Sequence, residues 1–189
     1  MKKKIPKKIT LDKLEKSAIK YLEKYSVSEY QLTGFLRKKI IKTSFFYKTD
    51  PQKDFKLIEK IISKFKKIGL IDDKKFSENK AINSVEKGYS KKKIIFILKS
   101  KGISDENIQI GINSLEESYF NSEILSALIY ARKKKFITFE KKKIIGEDKK
   151  KLLKMSQAGF PYNIAKKIIN LNNEKEHLEL EKYAKYGDN

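Results

Sequence analysis

The 189 residues, with 39% hydrophobic content, suffice for one or two ordinary domains or for several small cores, and the lack of cysteine excludes disulfides and thiolate zinc sites. A formal net charge of +21 attracts polyanions, yet of 45 basic residues only Arg37 and Arg132 are arginine, so bidentate reading of guanine and sequence-specific DNA recognition are not expected. The longest aliphatic and aromatic run, Ile94 to Leu98, falls far short of the roughly 18 to 20 residues that span a bilayer, and no apolar run follows the basic start, so a soluble cytoplasmic protein is expected.

In chain order the pattern is helical nearly throughout. After a basic arm over residues 1–10, Leu11, Leu14, Ala18, Ile19 and Leu22 keep the i, i+3, i+4, i+7 spacing of one buried stripe, which predicts a helix over Leu11 to Tyr25. Ser28 with Gln31 reads as a capping box that starts a second helix with Leu32, Phe35 and Leu36 inside. Lys42 to Gln52 holds Asp50-Pro51 and no period, and reads as a loop. Leu57, Ile58, Ile61, Ile62 and Phe65 then predict a helix over Asp54 to Ile68, stopped at Gly69.

A second module begins at Asp72-Asp73 and carries Phe76, Ala81, Ile82 and Val85 to Gly88. Ser90 caps its next helix, which ends at Gly102, and Ser104 caps a third with Ile108, Ile112 and Leu115. In a third module the first helix holds Ile124, Leu125, Leu128 and Ile129. A loop of Phe136 to Gly146 leads to a helix starting at Glu147-Asp148 with Leu152, Leu153 and Met155 inside, ended by Gly159. Pro161 is expected at the first position of the last helix, with Ile164, Ala165, Ile168 and Ile169. Asn172 to Asn189 reads as a charged tail with room for one short helix.

These modules repeat. Ser90 to Ile103 lies without a gap on Glu147 to Phe160 at an offset of 57, glycine on glycine. A backward offset of 62 puts Ser90 on Ser28, Ile94 on Leu32, Ile97 on Phe35, Leu98 on Leu36, Lys101 on Lys39 and Ile103 on Ile41. Self-similarity at such a period marks stacked supersecondary units. The expected fold is all-α: three tandem three-helix repeats over residues 11–70, 71–118 and 119–171, in an elongated, curved helical array with a charged tail over 172–189.

Few residues call for catalysis. Two adjacent carboxylates at a helix mouth, Asp72-Asp73, read as a cap with a favourable dipole interaction. His177, the single histidine, has no second ligand near it in sequence and reads as solvated. No glycine-rich phosphate loop, Ser-His-Asp set or HExxH occurs, so neither an enzyme nor a cofactor is expected.

The lysines say more. Lys91, Lys92 and Lys93 occupy the first turn of a helix, where the dipole disfavours cations, and free N–H groups there would suit a phosphate or carboxylate. Arg132, Lys133, Lys134 and Lys135 end a helix, as Arg37, Lys38 and Lys39 are expected to do, where the dipole alone accounts for them. Lys99 and Lys101 stand just before Gly102, which ends the second module's second helix, and Tyr89 could stack on a base or pack between modules. Against this stands drift, because Lys, Ile, Asn, Phe and Tyr are all favoured by AT-rich coding and a solvated lysine surface needs no partner.

Four motifs in order, Ala18-x-x-Tyr21-Leu22 with Ser28-Glu29-x-x-Leu32-x-x-x-Leu36-x-x-Lys39, then Gly69-Leu70-Ile71-Asp72-Asp73-x-x-Phe76, then Lys101-Gly102-Ile103-Ser104-x-x-x-Ile108, then Ala158-Gly159-Phe160, resemble the RecX family of bacterial regulatory proteins over about Leu14 to Ile169. The chain departs from that pattern in its lysine content, at Ala158, where a basic residue is usual, and at Pro161, where Ser is usual. The resemblance implies an all-helical, elongated protein of three tandem three-helix repeats that binds filaments of the RecA recombinase and restrains them in recombination and repair, as members of that family commonly do, some of them also binding DNA. A monomer is expected, with single- or double-stranded DNA as a further partner. Lys91, Lys92, Lys93, Arg37, Lys38, Lys39, Lys99, Lys101, Arg132, Lys133 and Lys134 are the candidate contacts. A general nucleic-acid-binding helical protein and a plain helical scaffold are the alternatives.

Overall fold

A computed structural model describes residues 8–137 and 146–188; residues 1–7 of the expected basic arm and 138–145 of the expected Phe136 to Gly146 loop lie outside them. Among the described residues the secondary structure is helix alone. The helices are α1 (Leu11–Leu22), α2 (Glu29–Tyr47), α3 (Gln52–Lys67), α4 (Asp73–Val85), α5 (Lys91–Ser100), α6 (Asp105–Ser118), α7 (Ser122–Lys133), α8 (Glu147–Gln157), α9 (Tyr162–Ile169) and α10 (Glu174–Tyr186). The described residues group into two compact units, 8–76 with 101–103, and 77–100 with 104–137 and 146–188.

In the first unit Leu14 and Ala18 of α1, Leu32, Leu36 and Ile40 of α2, and Ile58, Ile61, Ile62 and Phe65 of α3 share one buried cluster. The α1 stripe is narrower than its spacing implies: Leu11 and Ile19 are exposed, and the helix stops at Leu22. The capping box is present, with Gln31 N–H donating to Ser28 Oγ at 3.2 Å and Ser28 N–H to Gln31 Oε1 at 3.4 Å. Lys42 to Gln52 is not a loop from its start. The offset of 62 that lays Gly102 on position 40 finds Ile40 there, and without a glycine to turn left-handed α2 runs on to Tyr47, burying Ile40, Thr43 and Ser44. For the same reason Ile41 lies in mid-helix and exposed, whereas its counterpart Ile103 follows a helix end and is buried.

Asp72 caps α4 as expected, its Oδ1 accepting from Lys75 N–H at 3.0 Å. Asp73 does something else: its Oδ1 accepts from Glu29 N–H, in the first turn of α2, at 2.8 Å. The hydroxyl of Ser28, one residue earlier, donates to the carbonyl of Lys101 at 2.5 Å. Gly102 follows at φ 73°, and a Cβ on it would stand 2.4 Å from Tyr30 Cβ.

The second unit contains the same joint. Ser90 Oγ donates to the carbonyl of Ala158 at 2.6 Å and accepts from Lys93 N–H at 3.3 Å. Lys91 N–H donates to Glu123 Oε2 at 2.7 Å. Gly159, at φ 93°, has no room for a Cβ, which would fall 2.6 Å from Ser90 Oγ. Each joint thus unites a serine cap, a carboxylate on the next N–H, and the carbonyl that precedes a left-handed glycine. The N–H groups at a helix start need partners from elsewhere, and here distant segments of the chain supply them.

The charged tail folds as α10. Its backbone carbonyls at Ala184 and Lys185 accept from Asn121 and Phe120 N–H at 2.8 and 3.3 Å, and Phe120 meets Tyr183 edge-on at 5.0 Å. Pro161 stands at the cap of α9, one position before the expected first turn.

Candidate functional site

The start of α5 is not the open anion site that its lysines imply. Of the first-turn amides, Lys91 N–H is taken by Glu123 and Lys93 N–H by Ser90, so the helix start already holds an anion of its own chain. Glu123 thus puts a carboxyl at the positive end of the helix dipole, beside Lys91. Burial pushes its carboxyl above the usual range, while the N–H and charge of Lys91 pull the other way. The Lys91 ammonium itself lies 3.5 Å from Glu116.

The side chains that follow form a surface of cations on rings. Lys93 Nζ stands 5.0 Å from the centre of the Tyr89 ring, and Lys134 Nζ 6.0 Å from that of Tyr130. Lys154 Nζ stands 5.9 Å from the Phe136 ring, and that ring meets Tyr130 edge-on at 6.0 Å. Lys133 Nζ donates to the carbonyl of Lys87 at 3.2 Å, tying the end of α7 to the turn before α5. A close approach makes this possible: a Cβ on Gly88, at φ 75°, would lie 2.8 Å from Tyr130 N.

Lys134 and Lys154 are therefore brought to the adjoining Tyr130 and Phe136 rings and Lys133 to the Lys87 carbonyl, while Lys93 lies over Tyr89; Lys87 and Lys154 are not among the residues the sequence singled out. The pairs Tyr89 with Lys93 and Tyr130 with Lys134 are legible as aromatic-lysine spacings of i, i+4. The contact of Lys154 with Phe136 depends on tertiary packing. Each cation–π pair at an exposed site is worth about 0.5 to 1 kcal/mol, enough to bias each ammonium group toward its ring. Chemically, the arrangement can meet phosphates or carboxylates without reading a base.

The remaining candidates divide by what they touch. Arg132 pairs with Glu181 of α10, whose carboxyl is held low by its hydrogen bond to Lys185 and by Arg132. Lys99 pairs with Asp105 at 3.1 Å, and Lys101 contributes its carbonyl to the first joint. Arg37, Lys38 and Lys39 do not end a helix: they lie exposed in the middle of α2, and the Arg37 guanidinium stands 5.5 Å from the Phe55 ring. Lys92 is exposed on α5. His177, expected in solvent, is buried in α10, and burial first, then Arg132, lowers its pKa. A tail that folds back as a helix encloses it.

Among the described residues no helix is long and apolar enough to cross a membrane. No family model matches the chain. It is 28% identical over 169 residues to Regulatory protein RecX of Myxococcus xanthus, a match that covers 88% of this chain and 89% of that relative. The crystal structure of RecX from Lactobacillus salivarius shares the fold, with a TM-score of 0.58 and 21% identity over 84% of this chain and 94% of that one. The relationship to the RecX regulatory proteins that the ordered motifs imply is borne out, in sequence by the first and in fold by the second.

Proposed function

We propose that this chain is a regulator of the RecA recombinase that binds the filament on DNA and restrains its activity in recombination and repair. The carrying observation is the match, over 88% of this chain and 89% of the relative, to a protein named Regulatory protein RecX, together with the four motifs that stand in order in this chain. On this reading the protein acts by binding, as a cytoplasmic monomer without catalysis or cofactor, and its three-helix modules over residues 11–70, 71–118 and 119–171 are repeats of one unit. The face of Lys93, Lys133, Lys134 and Lys154 serves as its polyanion contact, toward DNA in the complex or toward acidic recombinase surface.

The test is the steady-state ATP hydrolysis of the cognate RecA on single-stranded DNA. The rate is expected to fall at substoichiometric amounts of this protein. An unchanged rate in its presence at excess would exclude the reading. Binding to bare DNA is expected to be weak, indifferent to sequence and steeply salt-dependent, because lysines supply charge without base readout.

A further inference from the structure

The outer faces of α5 and α8 carry the same exposed device at the same register. Phe96 is 72% exposed, and Leu153, which the offset of 57 lays on it, is 59% exposed although the spacing placed it inside. Each has exposed lysines at i−4 and i−3, Lys92 and Lys93 in one helix, Lys149 and Lys150 in the other. The inner faces of both helices are occupied in the core by Ile94, Leu98 and Met155. A single exposed apolar side chain needs no explanation. Two at one register, each ringed by cations on its N-terminal side, are harder to assign to chance. The corresponding position of α2 is Gly34, with nothing within 4 Å of the place a Cβ would take, so the first module lacks the device.

We infer that these two faces dock onto a protein surface whose apolar pockets are rimmed by carboxylates. The feature the helices share is size and apolarity, not aromaticity. Leu153 has no π-face on which a base could stack, which disfavours a nucleic-acid strand as the occupant. Lysines one turn back along each helix would steer toward acidic rims and add specificity, while burial of the apolar side chain would hold the complex. This inference rests on the regulator reading and names the surface by which a recombinase filament would be held.

The experiment is co-sedimentation of the parent and the Phe96→Ser/Leu153→Ser double variant with RecA assembled on single-stranded DNA, alongside titration of bare single-stranded DNA and thermal melting. The double variant is expected to bind the filament at least tenfold more weakly, to bind bare DNA as the parent does, and to melt no lower, since both side chains are exposed. Lys149→Glu/Lys150→Glu is expected to weaken filament binding at low salt and to converge with the parent at high salt. Equal filament binding by parent and double variant would overturn this inference and leave the regulator reading standing. Bare-DNA affinity lost in step with filament affinity would overturn it in favour of a nucleic-acid face, and a lower melting temperature would show the two side chains to be structural. A parent that fails to bind the filament would remove the regulator reading itself, and this inference with it.

Discussion

The start of α2 and the start of α5 are the same joint built with opposite electrostatics. In both, a serine hydroxyl donates to the carbonyl before a left-handed glycine, and a carboxylate from a distant helix accepts the next N–H. At α2 that N–H belongs to Glu29, an acid facing the acid Asp73, and the Lys66 ammonium, 2.7 Å from Glu29, offsets the repulsion. At α5 it belongs to Lys91, a cation facing Glu123. The joint is therefore defined by backbone polarity and by the space beside a glycine, and the charge of the residue that donates the N–H is free to vary.

Removing that space should break both joints most severely. Gly102→Ala and Gly159→Ala each force a Cβ into an occupied position at positive φ, and each is expected to cost about 2 to 4 kcal/mol, read as an earlier denaturant midpoint. Gly102→Ala should cost more. Its blocking atom, Tyr30 Cβ, is fixed close to the backbone, whereas Ser90 Oγ can rotate at the expense of its hydrogen bonds. Equal midpoints for parent and variants would mean that the close approach does not exist in solution.

The serine hydroxyls come next. Ser28→Ala and Ser90→Ala each remove a cap and the bond to a distant carbonyl, with an expected loss of about 1 to 2 kcal/mol each. Ser28→Ala leaves the Gln31 side chain on the Ser28 N–H, half of the capping box, so comparable losses at the two sites would show that the distant carbonyl, not the box, dominates. Urea titration of both variants decides this.

The smallest effect separates the carboxylates by pH. Burial raises both Asp73 and Glu123 above their ordinary values. The folded protein then holds protons that the unfolded chain has released, so stability from these groups is present below the unfolded pKa and is lost as pH rises through the folded pKa. Glu123→Gln should flatten that decline in melting temperature as pH rises above the ordinary glutamate range, because the amide keeps an acceptor for Lys91 N–H without a charge to desolvate. Glu181, held low by Lys185 and Arg132, acts with the opposite sign, losing its contribution as pH falls. A steeper decline in the Gln variant would contradict the assignment of Glu123.

Much of the helical order was legible because it is local. Ser28, Ser90 and Ser104 announce their caps, and Leu32, Leu36, Ile94 and Leu98 their buried faces, within one or two turns of sequence. The end of α2 differs from its reading for a local reason too: Asp50-Pro51 and the lack of a period over Lys42 to Gln52 suggest a loop, but no glycine or proline stands there to stop the helix before Lys48. Of the candidate surface, Tyr89 with Lys93 and Tyr130 with Lys134 could be read from spacing, whereas Lys154 against Phe136 could not.

The sequence alone determined where most helices begin and which faces turn inward, because capping and helical periodicity act between residues a few positions apart. Only the tertiary structure decided what the polar ends of those helices meet. Glu123 and Asp73 lie 32 and 44 residues from the N–H groups they accept, and His177 is buried by a segment whose charge suggested a solvated tail. An unsatisfied amide at a helix start states in sequence that it needs a partner, but a partner distant in the chain is chosen by packing, which brings it within hydrogen-bonding distance only once the helices are in place.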